Sequence, residues 1–288
     1  MKYFKKYLAY ILIILLFILS TGVIFYIYKN SNPKYLKVVF LNVGQGDAIY
    51  IESPNKKQIL IDGGRGGNIL PNLMKVMPLF DRSIDMLIIT NPDQDHIGGL
   101  VEVLENYKVG MVLESGTKTE TLVYNNLEKE IIKNKVIKNI AKRGMHIVLD
   151  EEKNIYFDIL FPDRDVSTWE RNDGSIVGRL VYKDKSFMLM GDATLYTENL
   201  IEWNENLKNL KSNVLKLGHH GSRTSTGLLW LEKVDPDIAI ISAGKNNTYG
   251  HPHKEIIDKL KSLDIKFLET HKEGNLIFKT DGEVLIQK

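Results

Sequence analysis

The chain carries seven histidines, and five of them, His96, His219, His220, His251 and His253, stand beside glycine, proline or aspartate in loop-like surroundings. In Thr90-Asn91-Pro92-Asp93-Gln94-Asp95-His96-Ile97-Gly98-Gly99 an apolar run ends, and two carboxylates and an imidazole follow within four residues. Ionised carboxylates and neutral imidazole suit a divalent cation, although an Asp-rich turn also caps helices. In Met190-Gly191-Asp192 the aspartate either reaches such a site or caps the helix after it. Leu217-Gly218-His219-His220-Gly221-Ser222 places adjacent imidazoles between glycines at a strand end, with ring nitrogens free and little bulk around them. Tyr249-Gly250-His251-Pro252-His253 opens a helix, and either histidine there is a ligand, a proton donor or a helix-start residue. His146, which opens an apolar run, and His271, in a charged turn, fit structural roles. The chain has no cysteine, which excludes disulfides, thiolate zinc sites and cysteine nucleophiles.

All four stretches follow the carboxyl end of a strand-like run, and loops at one edge of a sheet can converge on one site. The expected strands are Val38–Val43, Ala48–Ile51, Gln58–Ile61, Met86–Thr90, Met111–Leu113, Ile155–Phe161, Ile176–Tyr182, Phe187–Met190, Val214–Leu217, Ile238–Ser242, Leu276–Phe278 and Val284–Ile286. Helical periodicity marks Asn68–Val76, Leu100–Tyr107, Glu120–Lys142, Leu195–Asn206, Leu228–Val234 and Lys254–Leu263. Several strands arrive as hairpin-like pairs before a helix, a pattern of mixed α/β layers rather than regular alternation.

Residues 1–37 hold six lysines and no acid; removing those six from the 38 basic residues leaves 32 against 36 acidic ones. The remainder therefore lacks the overall basic field of a general nucleic-acid binder, and any nucleic acid must be met by a local site. The uncharged run Tyr7–Tyr28, bounded by Lys6 and Lys29, is as a helix about 33 Å long against a hydrocarbon core of about 30 Å. It is too long for a signal-peptide core and lacks an Ala-x-Ala-like cleavage site. The expectation is an uncleaved, single-pass anchor in the cell membrane. The lysine-rich amino-terminal tail favours a cytoplasmic amino terminus and an extracytoplasmic domain. Residues 1–29 are then tail and anchor, 30–37 a linker beginning Asn30-Ser31-Asn32-Pro33, and 38–288 the domain that carries the candidate site.

The order of an Asp-rich motif, Gly-Asp and a later His motif resembles the metallo-β-lactamase fold. More narrowly, the chain is similar to the hydrolase domain of ComEC competence proteins. Asn42-Val43-Gly44-Gln45-Gly46-Asp47-Ala48, Leu60-Ile61-Asp62-Gly63-Gly64, His219-His220-Gly221-Ser222 and Tyr249-Gly250-His251-Pro252-His253 carry that likeness. The resemblance implies a four-layer αββα sandwich, preceded here by the one transmembrane helix, and hydrolysis by a metal-activated water. It implies one or two divalent ions, Zn²⁺ or Mn²⁺. Asp95, His96 and Asp192 are the implied ligands, with Asp192 placed to bridge two ions and His219 or His220 giving the later imidazole; Asp47 and Asp62 lie near the site.

The family's His-x-His-x-Asp-His, or His-x-Asp-x-Asp-His in ComEC-like members, is altered. Asn91 takes the first histidine position and Asp93 the second, and no histidine lies between His96 and His146. The first metal position then holds a harder ion through oxygen ligands, or is vacant beside a single metal, or is degraded. Asn91, Asp93 and His251 are accordingly candidates for ligands or for the layer behind them. ComEC's many transport helices have no counterpart, so the expectation is the hydrolase module alone. The expected substrate is a phosphoester, with DNA or a cell-envelope phosphodiester as candidates. Asp93, Asp95 and His253 are the candidate catalytic residues, Asp93 or His253 moving protons, and Ser222 and Thr224 donate to a substrate oxygen or cap a helix. The competing class is a membrane-tethered binding module without catalysis.

Overall fold

The computed structural model describes residues 2–30 and 34–288. The chain divides into two compact units, Met1–Lys34 and Tyr35–Lys288. The first contains helix α1, Lys2–Asn30. Its described side chains run without a break from Tyr10 to Tyr26 and are exposed and mostly apolar. Ser20 and Thr21 return their hydroxyls to the Phe17 carbonyl at 2.9 and 2.7 Å. Among the described residues no helix is long and apolar enough to cross a membrane. The expected linker residues Ser31, Asn32 and Pro33 lie outside the described residues, as do the side chains of Lys5, Lys6 and Lys29.

The second unit is built on two sheets. One contains β1 (Leu36–Phe40), β2 (Ile49–Glu52), β3 (Gln58–Ile61), β4 (Ser83–Ile89), β5 (Lys108–Glu114), β6 (Ile137–Ile140), β14 (Leu276–Thr280) and β15 (Leu285–Gln287), in the order β15-β14-β1-β2-β3-β4-β5-β6. The other contains β7 (His146–Asp150), β8 (Ile155–Phe161), β9 (Val177–Tyr182), β10 (Lys185–Leu189), β11 (Val214–Lys216), β12 (Ile238–Ile241) and β13 (Lys266–Glu269), in the order β13-β12-β11-β10-β9-β8-β7. Alternation within strands puts one set of side chains between the sheets and the other under helices. Val38, Phe40, Ile49 and Ile51 meet Phe157, Leu180 and Phe187 in the core between the sheets. Val39, Leu41, Tyr50 and Leu60 instead pack under α2 (Ile69–Val76), α4 (Leu100–Asn106) and α5 (Leu122–Lys133). On the other outer face, Met188, Leu215 and Ala239 pack under α6 (Leu195–Asn204), α8 (Leu228–Val234) and α9 (Lys254–Ser262). Three stacked cores separate four layers, the expected αββα sandwich. Short helices α3 (Gln94–Ile97), α7 (Leu207–Leu210) and α10 (Thr270–Glu273) complete the unit.

The expected helix Glu120–Lys142 is overturned in its second half. Asn134 caps α5 and Lys135 takes a left-handed φ of 54°, and the chain re-emerges as β6, parallel to β5. This edge strand is largely exposed, so its apolar residues follow no buried face and mimic helical spacing.

Strand direction assembles the site. β3 and β4 run parallel, as do β10, β11 and β12. Their carboxyl ends deliver Asp62, Thr90, Gly191, Leu217 and Ser242 to one edge of the sandwich.

Candidate metal centre

His96 leaves α3 fully buried, and its Nδ1 lies 2.8 Å from Asp62 Oδ2. Asp62 is fixed from two further directions: Thr90 N–H donates to Oδ1 at 2.8 Å and Thr90 Oγ1 to Oδ2 at 2.5 Å. A carboxylate accepts only, so Nδ1 carries a proton, and Nε2 is the nitrogen left to face an ion. That Nε2 stands 3.0 Å from Asp192 Oδ2. His220 approaches the same carboxylate from the other sheet, with Nε2 at 3.4 Å from Asp192 Oδ1 and 3.3 Å from Asp95 Oδ2. Its Nδ1 is 3.3 Å from Asp47 Oδ1. Asp47 in turn pairs with the fully buried Lys216, whose ammonium also donates to the Gly191 carbonyl at 3.1 Å.

His219 and His220 both occupy left-handed backbone, φ 44° and 56°, a strain that the surrounding hydrogen bonds must hold. Thr224 gives its hydroxyl proton to Ser222 Oγ at 3.0 Å. Its oxygen is left to accept from His219 Nδ1 at 2.9 Å, which leaves His219 Nε2, 4.0 Å from Asp192 Oδ2, bare. Gly46 permits the crossing of the first glycine-rich loop, because a Cβ there would lie 1.8 Å from the Asp95 carbonyl oxygen.

The electrostatics follow from this crowding. Burial opposes ionisation of Asp192, but His220 and His96 outweigh it and hold the carboxyl well below its usual range. Asp95 is likewise depressed against burial by His220 and His96. Burial works to lower the two imidazoles; the paired carboxylates Asp192 and Asp62 raise His96 well above its ordinary value, and Asp192 with Asp47 carries His220 up to about 9. His251 is pushed down to about 4 by burial and by its histidine neighbours. Burial raises Asp93, against the pull of Arg171.

These atoms fit a divalent ion. His96 Nε2, both His220 ring nitrogens and Asp192 Oδ1 are buried and have no hydrogen-bond partner, although each lies within ion-pair distance of an opposite group. The contacts are close but misaligned, a costly state for polar atoms that an ion at their centre would satisfy. Among the described residues, the donor atoms of Asp95, His96 and His220 lie within 4.8 Å of one another, as do those of Asp47, Asp192 and His220 and of Asp47, Asp62 and His96. The first set together with Asp192 is the better cradle, because Asp47 already answers Lys216 and Asp62 answers Thr90 and His96 Nδ1.

The donors open into a cavity of about 340 Å³ walled by Gln45, Arg65, Asp93, Arg171, Tyr249 and His251. Arg171 Nε is 2.7 Å from Asp93 Oδ1. A larger cleft, about 1140 Å³ near β6 and β7, holds none of the convergent donors.

The other expected residues are placed less directly. Asn91 is fully buried beside the site, but its Oδ1 accepts from Asp93 N–H at 2.8 Å and its Nδ2 donates to Asn172 and Ser175 at 2.7 and 3.3 Å. Its amide holds the Asp-rich loop to the 172–175 loop. Ser222 and Thr224 are absent from the cavity lining and stand behind His219, bonded to each other and, through Thr224, to its ring. His253 also sits behind the lining, its Nδ1 accepting from Arg223 N–H at 3.1 Å and its ring 5.0 Å from that of His251. Arg65, Arg171, Tyr249 and Lys216 had no assigned role in the sequence. For Lys216 the signal was present, a lysine inside the apolar run Val214-Leu215-Lys216-Leu217. The arginines sit in loops with no pattern to mark them.

The Metallo-beta-lactamase superfamily model matches residues 41–245. The chain belongs to that superfamily. Its relatives include competence-related proteins. It is 30% identical over 268 residues to ComE operon protein 3 of Bacillus subtilis, covering 86% of this chain and 33% of that protein. It is 31% identical over 241 residues to Recombination protein 2 of Haemophilus influenzae, covering 81% and 27%. The chain thus spans about a third of the length of these relatives. The metallo-beta-lactamase fold protein YhfI of Bacillus subtilis superposes with a TM-score of 0.57 at 10% identity, covering 85% of this chain and 100% of that one, a likeness of fold.

Proposed function

We propose that this chain is a membrane-anchored, divalent-metal-dependent hydrolase of phosphoester bonds, a phosphodiesterase or nuclease with DNA as a candidate substrate. The observation that carries the reading is the convergence of unpartnered His96 Nε2, His220 Nε2 and Asp192 Oδ1 beneath a cavity walled by Arg65 and Arg171. The names of the competence-related relatives support nucleic acid as the substrate class. Asp95, His96, Asp192 and His220 would hold the ion, with His219 Nε2 available to a second. Zn²⁺ suits the imidazoles and Mn²⁺ the carboxylates. The chemistry supplied by a bound divalent ion is Lewis acidity, which acidifies water and draws charge from a phosphoryl oxygen. Arg65 and Arg171 supply forked donors for the remaining phosphate oxygens. Asp93, whose carboxyl burial raises, takes up or returns a proton at the cavity wall. His251 stays neutral near pH 7 and can accept one.

Anchoring rests on the uncharged run Tyr7–Tyr28 within α1 and on the two hydroxyls satisfied inside that helix. The lysine-rich tail favours an extracytoplasmic domain. One observation favours the non-catalytic binding module: Asn91 stands where relatives of the family pattern carry histidine, and its amide is spent on loop contacts. The test is the full chain in detergent or vesicles, assayed with phosphodiesters and DNA under Mn²⁺, Mg²⁺ and Zn²⁺. Turnover that disappears with chelator and returns with one of these ions is expected. A folded, metal-loaded chain inactive on every phosphoester would establish the binding module instead.

A further inference from the structure

At the end of the sandwich remote from the metal centre, the loop between α2 and β4 carries side chains that the fold does not use. Leu79 is 82% exposed and Phe80 86% exposed, while Met77 and Ile84 on either side are buried. Met74, in the last turn of α2, is exposed as well. Phe80 is held at φ 69°, a left-handed conformation that a bulky residue takes only against steric cost. The turn is pinned beneath it. Asp81 Oδ1 accepts from Ser83 N–H and Oγ at 3.0 and 2.8 Å, and Asp81 Oδ2 accepts from Gln58 Nε2 at 2.7 Å. Two large apolar side chains are thus presented to solvent on a fixed backbone, which marks an interaction surface.

The position of this loop identifies what it meets. The chain enters the sandwich at Leu36, and Lys37 Nζ donates to the Val76 carbonyl at 2.7 Å, so the end of α2 lies beside the first strand residues. β4 runs from Ser83 to Ile89 toward Thr90 and Asn91, separating loop and metal centre by about 23 Å, the length of seven extended residues. Lys75, Arg82 and Lys108 are exposed around the loop, and among the described residues none of them is in an ion pair. Among the nearby acids, Asp85 is paired with Lys57 and Glu52 with Lys37 and Lys56, while Asp81 keeps its charge turned into the hydrogen bonds from Ser83 and Gln58, which leaves the three cations in excess around the loop. Apolar tips ringed by unpaired cations are the chemistry of contact with an anionic bilayer surface. A second copy is a poorer occupant, because two side chains offer a few hundred Å² at most against the roughly 800 Å² per partner of a stable interface.

We propose that the Leu79–Phe80 loop is a membrane-docking point that seats both side chains among lipid headgroups and holds the domain with its metal centre directed away from the bilayer. The inference rests on the anchoring reading above. The absence of native cysteine allows a clean test: Phe80→Cys in the full chain, labelled with the polarity-sensitive fluorophore NBD and reconstituted in phosphatidylcholine–phosphatidylglycerol vesicles. Lys254→Cys, at the start of α9 on the metal-centre side, is the control. The label at 80 should shift to the blue and be quenched by a headgroup-proximal lipid quencher, and the label at 254 should do neither. Adding Leu79→Ser should weaken the shift at 80. A chain retained by vesicles through alkaline extraction, yet with a water-exposed label at 80, would overturn the docking loop alone. Extraction by alkali would instead overturn the anchoring itself. Shielding at 80 that follows protein concentration and ignores lipid would assign the surface to a second copy and overturn the proposal.

Discussion

His96 and His220 face one carboxylate, Asp192, from opposite sheets, and their rings are held by different physics. On the first side, Asp62 receives Thr90 N–H, Thr90 Oγ1 and His96 Nδ1, so the ring is oriented by hydrogen bonds from a loop that α3 continues. On the second side, His220 sits in left-handed backbone and leans on Asp47, whose charge is answered by the buried Lys216. One half of the centre is built from directional hydrogen bonds and the other from a buried ion pair. The first should survive loss of a charge. The second should not, because removing one partner of a buried pair leaves the other uncompensated.

Asp192 belongs to both halves, and its removal should have the largest effect. Asp192→Ala is expected to lower divalent-metal affinity more than about 100-fold, beyond the 10–100-fold typical of residues that only orient ligands. Metal content by plasma mass spectrometry after dialysis checks it; retention of wild-type content would show that the two halves do not share an ion. The next variants separate the halves. Lys216→Met should cost about 3–5 kcal/mol of folding stability through the stranded Asp47 carboxylate, read as a lowered denaturation midpoint. Asp62→Asn should leave stability nearly intact and reduce metal affinity by roughly 10–100-fold. If both variants lose stability equally, the proposed contrast between the halves is wrong.

The first half was the more legible in sequence. Thr90–Gly99 showed its carboxylates, imidazole and glycines in one short stretch, and the unbroken apolar run from Val38 marked a strand, which the fold buries on both faces. The second half was visible as His219-His220, yet its supporting charge was not, since pairing Lys216 with Asp47 joins residues 169 positions apart. Sequence spacing cannot report such a contact. β7 and β13 escaped for a related reason: each is an edge strand with exposed positions, so neither shows a clean apolar period. Arg65 and Arg171 enter the cavity from loops whose course is set by packing of the whole sandwich.

A smaller effect reads the second half by pH. Glu198, on α6, accepts from Thr226 N–H at 2.6 Å and Gly227 N–H at 2.8 Å, holding the loop that follows His219-His220 as Asp62 holds the start of the Asp-rich loop through Thr90. Burial raises Glu198 to about 7, against those two donors. A carboxyl raised on folding contributes stability that is complete below its unfolded value, near 4.5, and lost as pH rises through about 7. The contribution is at most about 3 kcal/mol by linkage. Wild-type denaturation midpoints should therefore fall between pH 5 and pH 8 by more than those of Glu198→Gln. Parallel pH dependence in the two proteins would remove Glu198 from the account.

Asn91→His tests whether the first half is complete as it stands. The amide at 91 accepts from Asp93 N–H and donates to Asn172 and Ser175, so it ties two loops together with both ends of one group. A neutral imidazole has one donor and one acceptor, and their fixed angle cannot reproduce both contacts from the same side chain. The substitution should strand a buried partner and cost about 1–3 kcal/mol, with metal content per chain unchanged. Calorimetry and metal analysis on the same preparation decide it. A rise in bound zinc without loss of stability would show that position 91 can turn to the ion. The hydrogen-bonded half would then have room for a further ligand, and its contrast with the charge-held half would lie in ligand number as well as in support.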